Sequence, residues 1–400
     1  MDIMCLMGLF PNGYEDEITQ NTIVGMQNAA NKLQWGIVKG LDSQEQANVS
    51  ICNSLYIGSY PKRYRKMIIP TFSFEHIKGA NDINLGFLNL PVIKNISRYI
   101  SIKHYLKRWA KKNSSSERAL LVYALTTPFV KAAAYIQRNY PLIKVCMVVP
   151  DLPEYMNVGA MQKDGLYSRL KRLQIKWMKK SLRSIKYYVL LTEAMKNWFE
   201  HDIKYTVVEG IASCTDVIST KNEREKTIIY AGGISKEYGV FDLIETFMQI
   251  NMPEWKLVIY GDGKHLNDAK ELAQNDARVV FMGLQPNSVV VEHQKRASLL
   301  VNPRKNQEFT KYSFPSKILE YMSSGTPMLA YKLDGVPDEY TPYYYRISEE
   351  SGGLYESLKV VMQQQDYERN LMGKKAMTFV RENKNPIIQA RKIIDLIFSH

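Results

Sequence analysis

The sequence predicts an α/β protein built as two doubly wound, parallel-sheet units. Three observations predict it. Strand-like apolar runs alternate with amphipathic helical stretches throughout, as parallel strands covered on both faces require. A chain of 400 residues is too long for one ordinary core and suits two. Finally, a polar stretch, "SCTDVISTKNEREK" from Ser213 to Lys226, separates two sets of these runs and reads as a linker. The expected division is 1–212 and 213–379, with a helix at about 380–400 packing back onto the first unit.

In chain order, the first half offers the strands "DIMCLMGLF", "NVSICNSLYI", "ERALLVYAL", "IKVCMVVPD" and "KYYVLLTE". Helices between them are expected at "TQNTIVGMQNAANKL" and "TPFVKAAAYIQRNY". The second half gives the strands "KTIIYAGG", "WKLVIYGDG", "ARVVFMG", "ASLLVNP" and "TPMLAYK". Its helices are "GVFDLIETFMQI", "LNDAKELAQN", "PNSVVVEHQKR" and "PSKILEYMSS". Two such units leave a cleft between them, and ligands of open α/β sheets sit at the carboxyl ends of the strands.

Composition narrows the class. Apolar residues at 45% with 11% aromatics mark a globular chain. Cys5, Cys52, Cys146 and Cys214 are scattered without zinc spacing, and the six histidines are dispersed, so reduced cytosolic thiols and no metal are expected. No run approaches the roughly 20 apolar residues that a membrane span needs, and "IMCLMGLF" reads as a buried strand rather than a signal core. The formal charge of +13 is concentrated. Residues 163–186 carry nine Lys or Arg against Asp164, and residues 91–112 carry seven with no acid. Both are basic amphipathic stretches suited to an anionic membrane surface, or to plain solvated helix faces. Nucleic acid ranks below membrane, because no nucleic-acid motif accompanies them.

The informative residues collect at predicted strand ends of the second half. Gly232 and Gly233 follow the first strand, Gly261 and Gly263 the next, Gly283 the third, and Arg304 with Lys305 the fourth. Then "FPSKILEYMSSGTP" opens a helix. Pro315 fits its first turn, Ser313 or Ser316 can cap it, and Gly325 stops it. Its mouth is an anion site, Lys317 adds a cation, and Glu320 can accept two hydroxyls. Phosphates at the helix mouth and a ribose at Glu320 suggest a nucleotide; a Lys317–Glu320 surface pair at i,i+3 is the plainer alternative.

These residues, in this order, resemble the donor domain of family 4 glycosyltransferases, which have the GT-B fold of two facing Rossmann-like domains with an interdomain cleft. "YAGGISKEYGVFDLIETF", "LVIYGDG", "VVFMGLQ" and "FPSKILEYMSSGTPMLAYKLDGVPDEY" carry the match over about 160 residues. The resemblance implies that Glu320, the second glutamate of the family's E-x7-E motif, binds the ribose. Where the first glutamate belongs, this chain has Tyr312, placed toward the donor sugar. The family's Arg and Lys after the glycine turn are Gly233 and Tyr238 here, so Lys317, Arg304 and Lys236 are expected to compensate the diphosphate. Ser313, Phe314 and Ser316 belong to the same mouth, and Gly283 with Leu284 to base recognition through backbone.

On the first half, Gly13, with Gly8, is expected to let the first loop close over the donor. Asp151 in "VVPDLPEYM" is expected to orient acceptor or sugar, or else simply to form a turn. Thr192 and Glu193 stand at another strand end, with helix capping as the alternative. The resemblance implies sugar transfer from a UDP-sugar, or secondarily a GDP-sugar, with retention, no metal and no further cofactor. The expected acceptor is a glycan or polyprenyl-diphosphate-linked oligosaccharide at the inner membrane face, in capsule or exopolysaccharide synthesis. The expected location is cytoplasmic and peripheral to that membrane. The alternatives are a sugar-nucleotide epimerase or hydrolase, and a non-catalytic nucleotide- and membrane-binding protein.

Overall fold

The computed structural model describes residues 1–112, 114–154, 166–212 and 224–399. Most of the expected linker, Cys214 and the start of the second basic stretch lie outside them. The chain divides into two compact units, Met1–Ile211 with Pro386–His400, and Ala212–Asn385.

Unit 1 opens with β1 (Asp2–Met7), α1 (Glu15–Asn21), α2 (Asn28–Asp42) and β2 (Asn48–Asn53). Four short strands follow: β3 (Ile68–Ile69), β4 (Phe72–Phe74), β5 (Asp82–Asn84) and β6 (Phe87–Leu88). Then come α3 (Ile93–Ala110), β7 (Arg118–Tyr123), α4 (Thr127–Asn139), β8 (Ile143–Val149), α5 (Leu166–Leu182), β9 (Tyr187–Leu190) and β10 (Lys204–Val207). Eight strands form one sheet in the order β10-β9-β8-β7-β1-β2-β5-β4, parallel except where β4 runs against β5. Residues Ile3, Cys5 and Met7 of β1 meet Ile37, Val38 and Leu41 of α2 in one core cluster, the period-2 and period-3.6 faces locking together.

Unit 2 contains β11 (Glu225–Ala231), α6 (Val240–Gln249), β12 (Lys256–Tyr260), α7 (Leu266–Leu272), β13 (Val279–Gly283) and α8 (Asn287–Arg296). It continues with β14 (Ala297–Asn302), α9 (Ser316–Ser323), β15 (Met328–Ala330), β16 (Tyr345–Arg346), α10 (Gly353–Gln363) and α11 (Asp366–Asn383). Its six strands are ordered β13-β12-β11-β14-β15-β16 and are parallel throughout. The last helix, α12 (Pro386–Phe398), returns to unit 1, where Ala390, Ile393 and Ile397 join the α2 cluster.

Three expectations are corrected. The helix expected over Thr19–Leu33 is two helices, because Gly25 turns the chain at φ +80° between α1 and α2. Neither Ser313 nor Ser316 caps α9: Pro315 is the N-cap residue, no side chain caps it, and Ser316 is the first helical residue. Thr192 precedes a 3-10 turn, Glu193–Trp198, likewise without a side-chain cap. Glu193 instead accepts from Lys196 at 2.7 Å and from the Tyr205 hydroxyl at 2.5 Å.

Candidate nucleotide site in unit 2

The site is built around the carboxyl end of β11. Beyond the strand, Gly232 N donates to Tyr260 O at 3.0 Å and Ile234 N to Asp262 O at 3.0 Å. Gly261 N then donates to Gly283 O at 2.9 Å, so the ladder of β11, β12 and β13 runs on into their loops. Gly261 sits at φ +127°, and a Cβ there would stand 1.9 Å from Gly232 O. Only glycine allows two backbones to approach this closely. The Gly232 amide is thus committed to the end of β12, that of Gly261 to the end of β13, and that of Gly263 to its neighbour Asp262 Oδ1 at 2.7 Å. The glycines make a shelf in which these three amides are already engaged. Leu284, exposed beside Gly283, continues it.

A cation stands at this shelf. Arg304 follows β14, and its guanidinium lies over the rings of Tyr238, at 5.4 Å, and Phe309, at 5.0 Å. Tyr238 in turn packs on Gly233, where a Cβ would meet its ring at 3.0 Å. Burial pulls the Arg304 pKa below its ordinary value, and its Nε is buried without a hydrogen-bond partner. A buried donor left open is costly unless something accepts from it, and a planar guanidinium held on aromatic faces suits phosphate oxygens. Lys236 is exposed beside the same turn, with its backbone N–H toward His265 Nδ1 at 3.4 Å. Lys305 is engaged by Asp242 at 2.6 Å.

Helix α9 reaches this site through Tyr321, whose buried hydroxyl accepts from Ala231 N at 2.9 Å. One residue earlier, Glu320 Oε1 accepts from Lys317 Nζ at 2.7 Å and from Gln294 Nε2 at 2.9 Å. The plainer alternative, a Lys317–Glu320 pair, is therefore present. Yet Glu320 is not a surface acid, since its side chain is only 19% exposed and is held by a wholly buried amide. Phe314 is core, tilted against Tyr340 at 5.5 Å. Tyr312 ends a 3-10 turn and lies half-buried, with the Lys311 ammonium 5.1 Å from its ring centre; Ser313 follows it, half-buried.

A cavity of about 630 Å³ in unit 2 lies elsewhere, between one face of α6 and the start of α10. Asp242, Glu245, Glu349 and Glu350 line it against Lys305 and Lys332. That excess of carboxylates repels a diphosphate, so the β11 shelf is the better anion site. Among the described residues, no group of three or more His, Cys, Asp or Glu is placed to hold a metal ion.

Two further expected residues lie in unit 1. Asp151 follows β8 with an exposed side chain, yet the protein packed around its carboxyl pushes the pKa up to about 6. Gly13 is exposed at φ +81° with open space around it. Gly8 is no hinge: its N–H donates to buried Gln34 Oε1 at 2.7 Å, and Phe10 N to Asn31 Oδ1 at 2.8 Å, tying that half of the loop to α2.

Residues 215–375 match the family model described as "Glycosyl transferases group 1". N-acetyl-alpha-D-glucosaminyl L-malate synthase of Bacillus anthracis is 26% identical over 169 residues, 40% of this chain and 42% of that one. Alpha-monoglucosyldiacylglycerol synthase of Streptococcus pneumoniae is 32% identical over 112 residues, 27% of this chain and 24% of its own length. The match thus spans less than half of either relative. Sucrose-phosphate synthase from Thermosynechococcus elongatus has a similar structure, with TM-score 0.65 at 12% identity over 99% of this chain and 98% of that one. The fold is GT-B, with Rossmann-like α/β units.

Sequence reasoning missed Gln294, Tyr321 and the Tyr238–Arg304 stack. Gln294 stands 26 residues from Glu320, and Ala231 stands 90 from Tyr321. Nothing local signals such pairs.

Proposed function

We propose that the protein is a glycosyltransferase that moves a hexosyl group from a nucleoside-diphosphate sugar, UDP-linked ahead of GDP-linked, to a glycan or lipid-linked acceptor. The observation that carries this is Arg304: a half-buried guanidinium whose buried Nε has no hydrogen-bond partner, stacked beside the glycine turn, inside the segment that matches group 1 glycosyltransferases. Arg304 and Lys236 bind the diphosphate. Glu320, oriented by Gln294 and Lys317, accepts the ribose hydroxyls. Leu284 and the Gly283 backbone meet the base, and Tyr312 meets the sugar.

In the reaction the bond between the anomeric carbon and the β-phosphate oxygen breaks, and a bond from the acceptor oxygen to that carbon forms. The acceptor's proton passes to a phosphate oxygen of the departing diphosphate, whose growing charge Arg304 and Lys236 stabilise. Transfer on this route is metal-independent and retains configuration, and Asp151 orients the acceptor. The basic helices α3 and α5 hold the enzyme against an anionic membrane at its cytoplasmic face, where cell-surface polysaccharide is assembled. No described helix is long and apolar enough to cross it.

The test is incubation with radiolabelled UDP-sugars, with and without a membrane lipid extract. Label in the lipid fraction together with acceptor-dependent UDP release is expected. Donor conversion without acceptor would instead indicate an epimerase or hydrolase. Nucleotide binding with no turnover would indicate a non-catalytic protein.

A further inference from the structure

Unit 1 holds a second cavity, of about 320 Å³, at the carboxyl end of β7. It lies among the first turns of α3, the uncapped start of α4 and one face of α5. Lys94, Arg98 and Lys171 line it, with Thr126, Thr127 and Gln174, and the described lining contains no Asp or Glu.

Protein groups hold Arg98 and Lys94, whereas Lys171 has a buried ammonium with no such partner. Arg98 is buried; its Nε donates to Ser54 Oγ at 2.9 Å, and its guanidinium lies 5.1–5.4 Å from the rings of Phe129, Phe87 and Tyr56. Lys94 donates to the Ile57 carbonyl. Burial, with the charges of Arg98 and Arg63, pushes its pKa down to about 7. Lys171 Nζ is buried with no hydrogen-bond partner. Clustered, partly buried cations repel one another, and a buried ammonium left unpaired is costly. An anion of more than one charge among them offsets that repulsion. The start of α4, with no side-chain cap, turns the positive end of a 13-residue helix the same way.

We propose that this cavity binds a phosphate or diphosphate group of the acceptor, with Lys171, Lys94 and Arg98 as its ligands. The assignment as acceptor rests on the transferase reading above; the anion site itself does not. Diphosphate matches three cations better than a singly charged carboxylate does, and 320 Å³ is too small for a whole nucleotide sugar. Two sources share this chemistry, a lipid-linked diphosphate and a soluble phosphorylated sugar. The surroundings suit the lipid: Val92, on the cavity wall, and Ile96 and Ile100 further along α3 are exposed at helical spacing, as is Trp177 on α5.

The test is calorimetric titration of the full chain, saturated with UDP, with sodium pyrophosphate and with farnesyl diphosphate. Wild type, Lys171→Gln, Lys94→Gln and Glu320→Gln are compared, each with its melting curve. The expected result is that pyrophosphate binds wild type and Glu320→Gln alike, and at least tenfold more weakly to each lysine variant. Should Lys94→Gln fail to fold, Lys171→Gln alone decides. Farnesyl diphosphate binding at least tenfold tighter than pyrophosphate assigns the site to a lipid-linked acceptor; equal affinity assigns it to a soluble phosphorylated one. Absence of binding by both anions, or affinities unchanged in Lys171→Gln, overturns the proposal. If UDP does not bind while Lys171-dependent pyrophosphate binding persists, the donor reading fails and this site stands.

Discussion

Gln294 Nε2 donates to Glu320 Oε1 at 2.9 Å, from a side chain with no solvent exposure. The bond joins α8 to α9 and fixes the carboxylate proposed to accept the ribose hydroxyls. Gln294→Leu keeps the volume and removes the donor. UDP affinity should fall, by less than in Glu320→Ala, while the protein stays folded. Titration of both variants orders the two effects, and equal or reversed losses contradict a positioning role.

Tyr321 couples α9 to β11 through the Ala231 amide. Tyr321→Phe leaves that amide buried and unpaired, at a cost of about 1–3 kcal/mol. Urea unfolding should show the loss in the midpoint. An unchanged midpoint would mean that the amide finds another acceptor.

Two glycines at positive φ should respond differently to alanine. At Gly261 the new Cβ meets Gly232 O at 1.9 Å, so strain in φ and a backbone clash add together. Gly13, at φ +81° in open space, carries only the left-handed penalty of roughly 1–2 kcal/mol. Gly261→Ala should therefore be the more destabilised of the two in thermal melts, and should also lose nucleotide binding as the shelf is pushed apart.

His76 gives unit 1 a pH dependence. Its buried ring meets Asp82 Oδ2 at 2.6 Å and Asp42 Oδ1 at 3.1 Å. Burial alone would lower its pKa, but hydrogen bonds and charge from the two aspartates outweigh that and raise it to about 9 from 6.5. Because the folded value lies above the unfolded one, the stabilisation is complete below about pH 6.5 and is lost as pH rises through about 9. It amounts to about 3 kcal/mol at most. The melting temperature of wild type relative to His76→Gln should therefore converge between pH 6.5 and 9.5; a constant difference would contradict a charged imidazole.

Much of the fold was legible because parallel strands buried on both faces are continuous apolar runs. "KTIIYAGG" and "WKLVIYGDG" became β11 and β12 for this reason. Short strands escaped notice: β3 and β6 have two residues each, too few for any period. The break at Gly25 was hidden because apolar residues on both sides share helical spacing. At the site, the i,i+3 pair of Lys317 and Glu320 was legible because it is local. Gln294 was not, because a buried amide chooses its partner through tertiary packing. Nor was the role of Gly232 and Gly261, whose amides donate to carbonyls at the ends of the neighbouring strands.

The most direct test of the account is calorimetric titration with UDP, GDP and ADP on wild type, Glu320→Ala and Arg304→Gln. One diphosphate should bind, Glu320→Ala should weaken it by about 1–3 kcal/mol, and Arg304→Gln should weaken it by a similar amount, as loss of a charge-assisted partner does. If none of the three diphosphates binds, or if both variants bind as tightly as wild type, the β11 shelf is not a nucleotide site and the transferase reading loses its foundation.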